Sequence, residues 1–491
     1  MAVFLGIDAG TTNFKAALID DCGRLIDSAV MPVEVLRPFE GGCEMDMERV
    51  WETLCTLTNR LRAQNPDDWK NIAGVGIAAQ GDGLWPVDKN GNPAGRAILW
   101  SDTRAHSFAG VDMDEVDALL EANSSTALFP GALPVLLKWL HENDNETFAR
   151  IHKAVHCKDW LNYKLTGVLG SDYTDYSTAG INIFTKEHVL ELYDKLGIPQ
   201  AKKMLPELHP PASIIGAITH EAAQLSGIPE GVPVAAGAID VVATALGAGL
   251  KNAGDCCTIL GTTLCNEIII DTTQVDTSDR AGSALCSVFP GQFVRVMAAN
   301  SGTSSIDWAK NLLANELSFE ALANSLEEVP PGSRGILYHP YVAGERAPFR
   351  NAFACGGFYG LAARHDRFDM MRAVYEGMVL SIMDCYRALP QAGGRLYLSG
   401  GGAKSSFACR LIAGALNKQT VRLEKKELTA RGAVDIVKLA LGIKLEDNAD
   451  GEEVFLPRPD EREAFEALYP QFVKLRERME PYWRERRMFC N

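Results

Sequence analysis

Nowhere among its 12 cysteines does the chain carry a Cys-x-x-Cys pair, so neither a zinc ribbon nor a thioredoxin-like redox motif is written in it. Cys256, Cys257, Cys385 and Cys409 sit in apolar stretches, and because Met1-Ala2-Val3 reads as entering a strand directly, no secretory signal is expected. Reduced, buried thiols in a cytoplasm are the expectation. His152 and His156 share a possible helical face but lack a third ligand, which argues against a metal site there. No apolar run is long enough to span a bilayer, so a soluble protein is expected, without a membrane partner. Positive charge is in deficit too: 48 Lys and Arg against 63 Asp and Glu leave a net charge of -15. That argues against nucleic acid or an anionic membrane as partner. Core-forming residues are plentiful, and 47% hydrophobic content over 491 residues is enough for two cores.

The most telling segment is Leu5-Gly6-Ile7-Asp8-Ala9-Gly10-Thr11-Thr12-Asn13, an apolar strand running into a carboxylate, a glycine and two threonines. Gly10 lets backbone N–H groups approach phosphate oxygens, Thr11 and Thr12 offer hydroxyl donors, and Asp8 can hold a hydrated divalent cation. Phe14-Lys15-Ala16-Ala17-Leu18-Ile19 then returns as a second strand, so the loop joins a hairpin. This excludes the Walker arrangement, in which the phosphate loop opens a helix.

The pattern recurs in the second half. Cys256-Cys257-Thr258-Ile259-Leu260 leads into Gly261-Thr262-Thr263, and Leu264 to Ile270 reads as the returning strand. Two such hairpins imply two related domains able to clasp a polyphosphate across a cleft. A third element, Arg395 to Ser399 followed by Gly400-Gly401-Gly402-Ala403, reads as strand and tight bend, with a helix from Lys404 onward. It is not a P-loop, because Leu398 and Ala403 stand where Walker glycines would be needed.

One carboxylate stands at the junction of the halves. Asp240 follows the apolar strand Pro233 to Ile239 and opens a small-residue helix, where it is expected as N-cap. It is also where a general base for a substrate hydroxyl would have to stand.

Together these motifs resemble the FGGY family of carbohydrate kinases, members of the actin-like sugar-kinase and Hsp70 superfamily. The resemblance runs on through Gln80-Gly81-Asp82-Gly83-Leu84-Trp85, Trp100-Ser101-Asp102-Thr103-Arg104, Lys158-Asp159-Trp160-Leu161, Tyr341 to Pro348 and Arg372 to Gly377. It implies an α/β chain of two actin-like, ribonuclease H-like domains flanking a cleft, and ATP-dependent phosphorylation of a sugar, ketose or polyol hydroxyl. The Asp8 loop and the Gly261, Thr262, Thr263 loop would bind phosphates. Gly400, Gly401, Gly402 and Ala403 would meet the adenosine, with the segment carrying Thr303 and Asp307 against the adenine. Asp240 would be the base, and Asp8 and Asp240 the carboxylates for Mg²⁺.

The residues after Gln80 contact substrate in this family, and glycerol kinases carry arginine and glutamate where this chain has Gly81 and Asp82. That departure argues against glycerol, and the segment looks more like the L-xylulose and erythritol kinases. Asp82 can accept from two neighbouring hydroxyls, while Trp85 either packs on the carbon face of a polyol or is a core tryptophan. Asn13 and Lys15 replace the usual serine and arginine of the first loop, keeping a polar group and a charge but losing the planar guanidinium fork. The first domain is expected over 1–246 and the second over 247–491, with a hinge in the glycine-rich 247–254 connector and a terminal helix after Pro459. A homodimer stays open beside a monomer. The rival class is a nonenzymatic sugar sensor or chaperone-like ATPase on the same fold, which would have no use for a base at Asp240.

Overall fold

The computed structural model describes residues 2–106, 110–278, 282–390, 393–424, 426–445 and 452–486. Two sheets of seven strands dominate it. In the first, the order is Ile214–Ala217, Pro233–Ala235, Ile72–Ala79, Val3–Ala9, Asn13–Asp20, Leu25–Pro32, with the short Ala238–Ile239 strand also pairing with Ile72–Ala79. In the second, it is Glu452–Phe455, Thr420–Leu423, Leu396–Ser399, Cys256–Leu260, Leu264–Asp271, Gln292–Ala299, Ser283–Cys286. Each half thus repeats one plan: an antiparallel hairpin whose first strand pairs in parallel with a later strand on its other side.

Val3–Ala9 is apolar almost throughout because helices cover both faces of its sheet. Met47–Gln64 covers one face, started by Asp46, whose carboxylate accepts from the N–H groups of Glu48 and Arg49. Asp240–Ala248 and Leu428–Ala440 cover the other. The latter helix comes from the second half yet lies directly on the first sheet. A Cβ on Gly6 would stand 2.1 Å from the Ala430 carbonyl oxygen, and one on Gly76 1.9 Å from that of Ala433. Gly247, expected in a flexible connector, lies inside the Asp240 helix, where a Cβ would meet the Leu428 carbonyl oxygen at 2.0 Å. Glycine is used there for close helix contact, and the left-handed turn that ends the helix comes at Gly249 (φ 99°). The terminal helix Pro459–Arg486 anchors itself on the second half through Phe465, Phe472 and Trp483. Among the described residues no helix is long and apolar enough to cross a membrane.

Candidate active site

The site grows from one edge of the first sheet. Val3–Ala9, Ile72–Ala79 and Ala238–Ile239 run parallel, with Asp8 opposite Ala78, and Ala9 and Ile239 both opposite Ala79. Asp8, the Gln80–Gly83 turn and Asp240 therefore leave the sheet at its carboxyl edge, where open α/β sheets bind ligands. Burial lifts the Asp8 carboxyl to about 6, against the opposing pull of Lys15, whose ammonium lies 3.9 Å away. Lys15 also reaches Glu427 of the second half at 3.4 Å. Burial first, then the charge of Asp8, lifts Asp240 to about 7; Asp82 adds to this, and a hydrogen bond from the Val241 N–H opposes it. Asp82 is itself pushed up to about 6 by burial. Asp8 and Asp82 thus both repel Asp240 in a largely desolvated corner, an arrangement that favours a proton, a hydroxyl donor or a cation.

Asp240 is not the cap expected of it. Ile239 is the N-cap and Asp240 the first helical residue, its Oδ1 accepting from the Val241 N–H at 2.7 Å. The strand before it is also broken, into Pro233–Ala235 and Ala238–Ile239, by Gly237 at φ 83°. Asp82 sits in the left-handed region at φ 56°, between Gly81 and Gly83, and its buried Oδ1 has no hydrogen-bond partner. Such strain in a non-glycine residue collects at functional sites. Gly81 does not open space as its small size suggests: a Cβ there would lie 2.1 Å from Ile239 Cδ1 and 3.1 Å from Asp175 Oδ1. Trp85 is wholly buried in the core of the first half, and the structure does not bring it to the cleft. The half-exposed tryptophan beside these loops is Trp100, whose Nε1–H donates to Thr11 Oγ1 at 3.1 Å.

In the first loop the Thr11 hydroxyl donates to Gln80 Oε1 at 2.9 Å and the Gln80 N–H donates to the Ala9 carbonyl at 3.0 Å, which ties the Gly10 turn to the Gln80 turn. Thr12 and Asn13 are left exposed. The second loop is braced from behind. Thr303 donates through its N–H and its hydroxyl to the Gly261 carbonyl at 2.9 and 3.0 Å, and the Ser304 hydroxyl donates to the Thr262 carbonyl at 2.9 Å. These contacts leave Thr262 and Thr263 exposed.

Gly400, at φ 89°, packs so closely that a Cβ would lie 2.6 Å from the Leu260 carbonyl oxygen, and one on Gly402 would lie 2.6 Å from Thr303 Cγ2. Gly401 faces open space and Ala403 is buried beneath it. Gly401–Lys404 forms a single 3-10 turn, and the helix proper, Ser406–Leu416, starts from a Ser405 cap. Asp307 is exposed on the Thr303–Leu313 helix. The second Gly-Thr-Thr loop, the glycine bend and the Thr303 helix are thereby brought together.

Three features escaped sequence reasoning. Behind the Gln80 turn lies a wholly buried cluster of His156, Lys158, Asp159, Asp172 and Asp175. His156, Asp159 and Asp175 approach one another as metal ligands would, but the Lys158 ammonium already contacts Asp159 and stands 3.8 Å from Asp175, supplying the positive charge itself. Glu267, on the Leu264–Asp271 strand, is also wholly buried; desolvation, with help from Asp240, lifts it to about 8. Finally, a cavity of about 870 Å³ opens between the halves at the opposite edge of the sheets, beside Gly23, Gly249 and Asp255, and none of Asp8, Asp82 and Asp240 lines it. His156 and Lys158-Asp159 had stood out in the sequence, but nothing in their spacing disclosed the carboxylates that join them from Asp172 and Asp175.

Two sheets of one plan, each presenting a Gly-Thr-Thr hairpin loop, with carboxylates at the carboxyl edge of the first, mark a two-domain phosphotransferase. The N-terminal domain model of the FGGY family of carbohydrate kinases matches residues 3–247 and the C-terminal domain model matches residues 256–437. The chain belongs to that family and is an ATP-dependent sugar kinase. It is 31% identical to the erythritol kinase of Brucella abortus over 90% of this chain and 88% of that one. It is 29% identical to the L-xylulose/3-keto-L-gulonate kinase of Escherichia coli over 90% and 88%. The fold superposes on that of a ligand-bound xylulose kinase from Lactobacillus acidophilus with a TM-score of 0.90 at 24% identity, covering 98% of each chain.

Proposed function

We propose that this kinase transfers the γ-phosphoryl group of ATP to a hydroxyl of a small open-chain ketose or polyol, an L-xylulose-like pentulose foremost and an erythritol-like polyol next. The observation that carries this is Asp82: a buried, unpartnered carboxylate oxygen held at positive φ beside Asp240. Such an acceptor calls for a hydroxyl donor, and a carboxylate can accept from two adjacent ones. The arginine of glycerol kinases has no place at Gly81, because Ile239 and Asp175 occupy the space a side chain would enter. The names of the erythritol and L-xylulose relatives support the same range of substrates.

In this mechanism residues 1–246 hold the sugar and the first phosphate loop, and 247–491 hold the second loop and the adenosine. Asp82, with Gln80 behind it, orients the sugar, and the exposed Trp100 indole offers an apolar wall. Asp240 accepts the proton of the attacking hydroxyl as the phosphoryl group leaves ADP in line. The Thr12 and Thr262 hydroxyls and the backbone of both loops donate to phosphate oxygens, with Lys15 adding charge. Mg²⁺ fits the crowded Asp8 and Asp240 carboxylates, whose lifted pKa values mark a deficit of positive charge, and it would offset phosphate charge there. Closure of the halves excludes water.

The test is kcat/KM for glycerol, erythritol, L-xylulose and D-xylulose with wild type and Asp82→Ala. L-Xylulose or erythritol should lead, and the variant should lose about 1–3 kcal/mol of specificity per hydrogen bond removed. Glycerol as best substrate, or undiminished specificity in the variant, rejects the assignment.

A further inference from the structure

We propose that Thr174, oriented by the buried Lys158–Asp172 ion pair, is a positioning residue that sets Asp240 for proton transfer. The inference rests on Asp240 as the base. Asp240 follows a strand of only two residues, preceded by the Gly237 break, and the last ladder pair before it is Ile239 with Ala79. What holds the chain at that point is a side chain: the Ile239 N–H donates to Thr174 Oγ1 at 3.1 Å. The Thr174 hydroxyl in turn donates to Asp172 Oδ1, which also accepts from the Thr174 N–H at 2.7 Å. Asp172 Oδ2 meets the Lys158 ammonium at 2.8 Å. The lysine stem runs beneath the break, where a Cβ on Gly237 would lie 2.9 Å from Lys158 Cδ.

Lys158, Asp172 and Thr174 are wholly buried. Because Asp172 Oδ1 already accepts from the Thr174 N–H, with the Lys158 ammonium on Oδ2, the threonine proton must point to Asp172, and its lone pair is left for the Ile239 N–H. Only a hydroxyl fills both roles. One lysine among Asp159, Asp172 and Asp175 is costly to bury, and an apolar cluster of equal volume would serve stability as well or better. The network is explained by what it orients. It touches the substrate turn as well, with Asp175 against Gly81, so one rigid body backs both the base and the sugar-binding turn.

The experiment measures kcat, both KM values and melting temperature for Thr174→Val, Thr174→Ala and Thr174→Ser, each alone and with Asp240→Asn. The two hydroxyl-free variants should lose about 10–100-fold in kcat, as a base displaced by a fraction of an ångström does, with KM for ATP and sugar within about threefold. Thr174→Ser should recover to within about threefold of wild type. In the Asp240→Asn background Thr174→Val should cost nothing more, since a residue acting through Asp240 has nothing left to position. Wild-type kcat in Thr174→Val beside an inactive Asp240→Asn overturns the relay alone, and so does a full additive loss in the double variant. An active Asp240→Asn overturns the base assignment and the relay with it. Should the hydroxyl-free variants fail to fold, Asp172→Asn carries the test: it keeps the shape, loses the charge that orients the threonine, and is expected to lower kcat without moving KM, while unchanged kcat overturns the proposal.

Discussion

Replacing Asp240 by asparagine separates its chemical role from its structural one, because the two effects should have opposite signs. An asparagine has nearly the same shape but cannot take a proton. Loss of a general base together with its charge should reduce kcat by about three orders of magnitude or more, roughly 4 kcal/mol of barrier. Stability should move the other way. The carboxyl is lifted from 3.8 to about 7 by burial and by Asp8 and Asp82, so the folded protein keeps this proton where the unfolded chain has already released it. Between those two values the native state binds more protons than the unfolded state, and stability falls as pH rises; below 3.8 the penalty is absent and above about 7 it is complete. A shift of this size corresponds to about 4 kcal/mol at most. Asp240 keeps part of its surface exposed, so solvent screening reduces the expected gain to about 1–2 kcal/mol.

The assay pairs turnover at saturating ATP and sugar with melting curves at acid and alkaline pH. Asp240→Asn should melt at least as high as wild type, with its advantage growing as pH rises through the window. Turnover within a few fold of wild type refutes the base. Loss of turnover with a lower melting temperature at every pH would make Asp240 a structural residue.

Thr12→Val and Thr262→Val should each weaken ATP binding or transfer by about 1.5–3 kcal/mol while leaving sugar affinity without nucleotide unchanged; intact ATP calorimetry and transfer in both variants would remove the two-loop clasp. Glu267 holds its proton up to about 8 in the folded state, against 4.5 unfolded, so its contribution to stability falls as pH rises across that interval. Wild type should therefore lose stability relative to Glu267→Gln by about 1.4 kcal/mol per pH unit within the window, and a pH-independent difference between their denaturation free energies would contradict its burial as a neutral acid.

The strand-loop-strand units around Gly10 and Gly261 were legible in the sequence because their signal is local. Alternating and continuous apolar runs, a glycine and two threonines follow one another within about ten residues, and hairpin pairing needs nothing from elsewhere. The same holds for the strand and glycine bend at Leu396 to Ala403, and for the apolar stripe of the terminal helix. Recurrence of one unit at a distance was enough to imply two domains of one plan, and the order of the motifs carried the family.

The contacts that decide the site join residues far apart in the chain, and no local pattern encodes them. Whether Gly81 makes room or forbids it depends on Ile239, some 160 residues on. Trp85 was the tryptophan the sequence offered to a sugar, and only packing buries it while leaving Trp100 exposed. Asp240 was recognisable as a carboxylate at a junction, but its crowding by Asp8 and Asp82 exists only once three parallel strands bring their carboxyl ends to one edge. The hold on Ile239 comes from Thr174, on a turn whose sequence shows an acidic pair and no destination. Hydrophobic pattern and turn chemistry act through near neighbours, and so the sequence by itself determined the elements and the repeat of the fold. Electrostatics and close packing act through space, so the protonation, orientation and accessibility of the site residues were decided only by the tertiary structure.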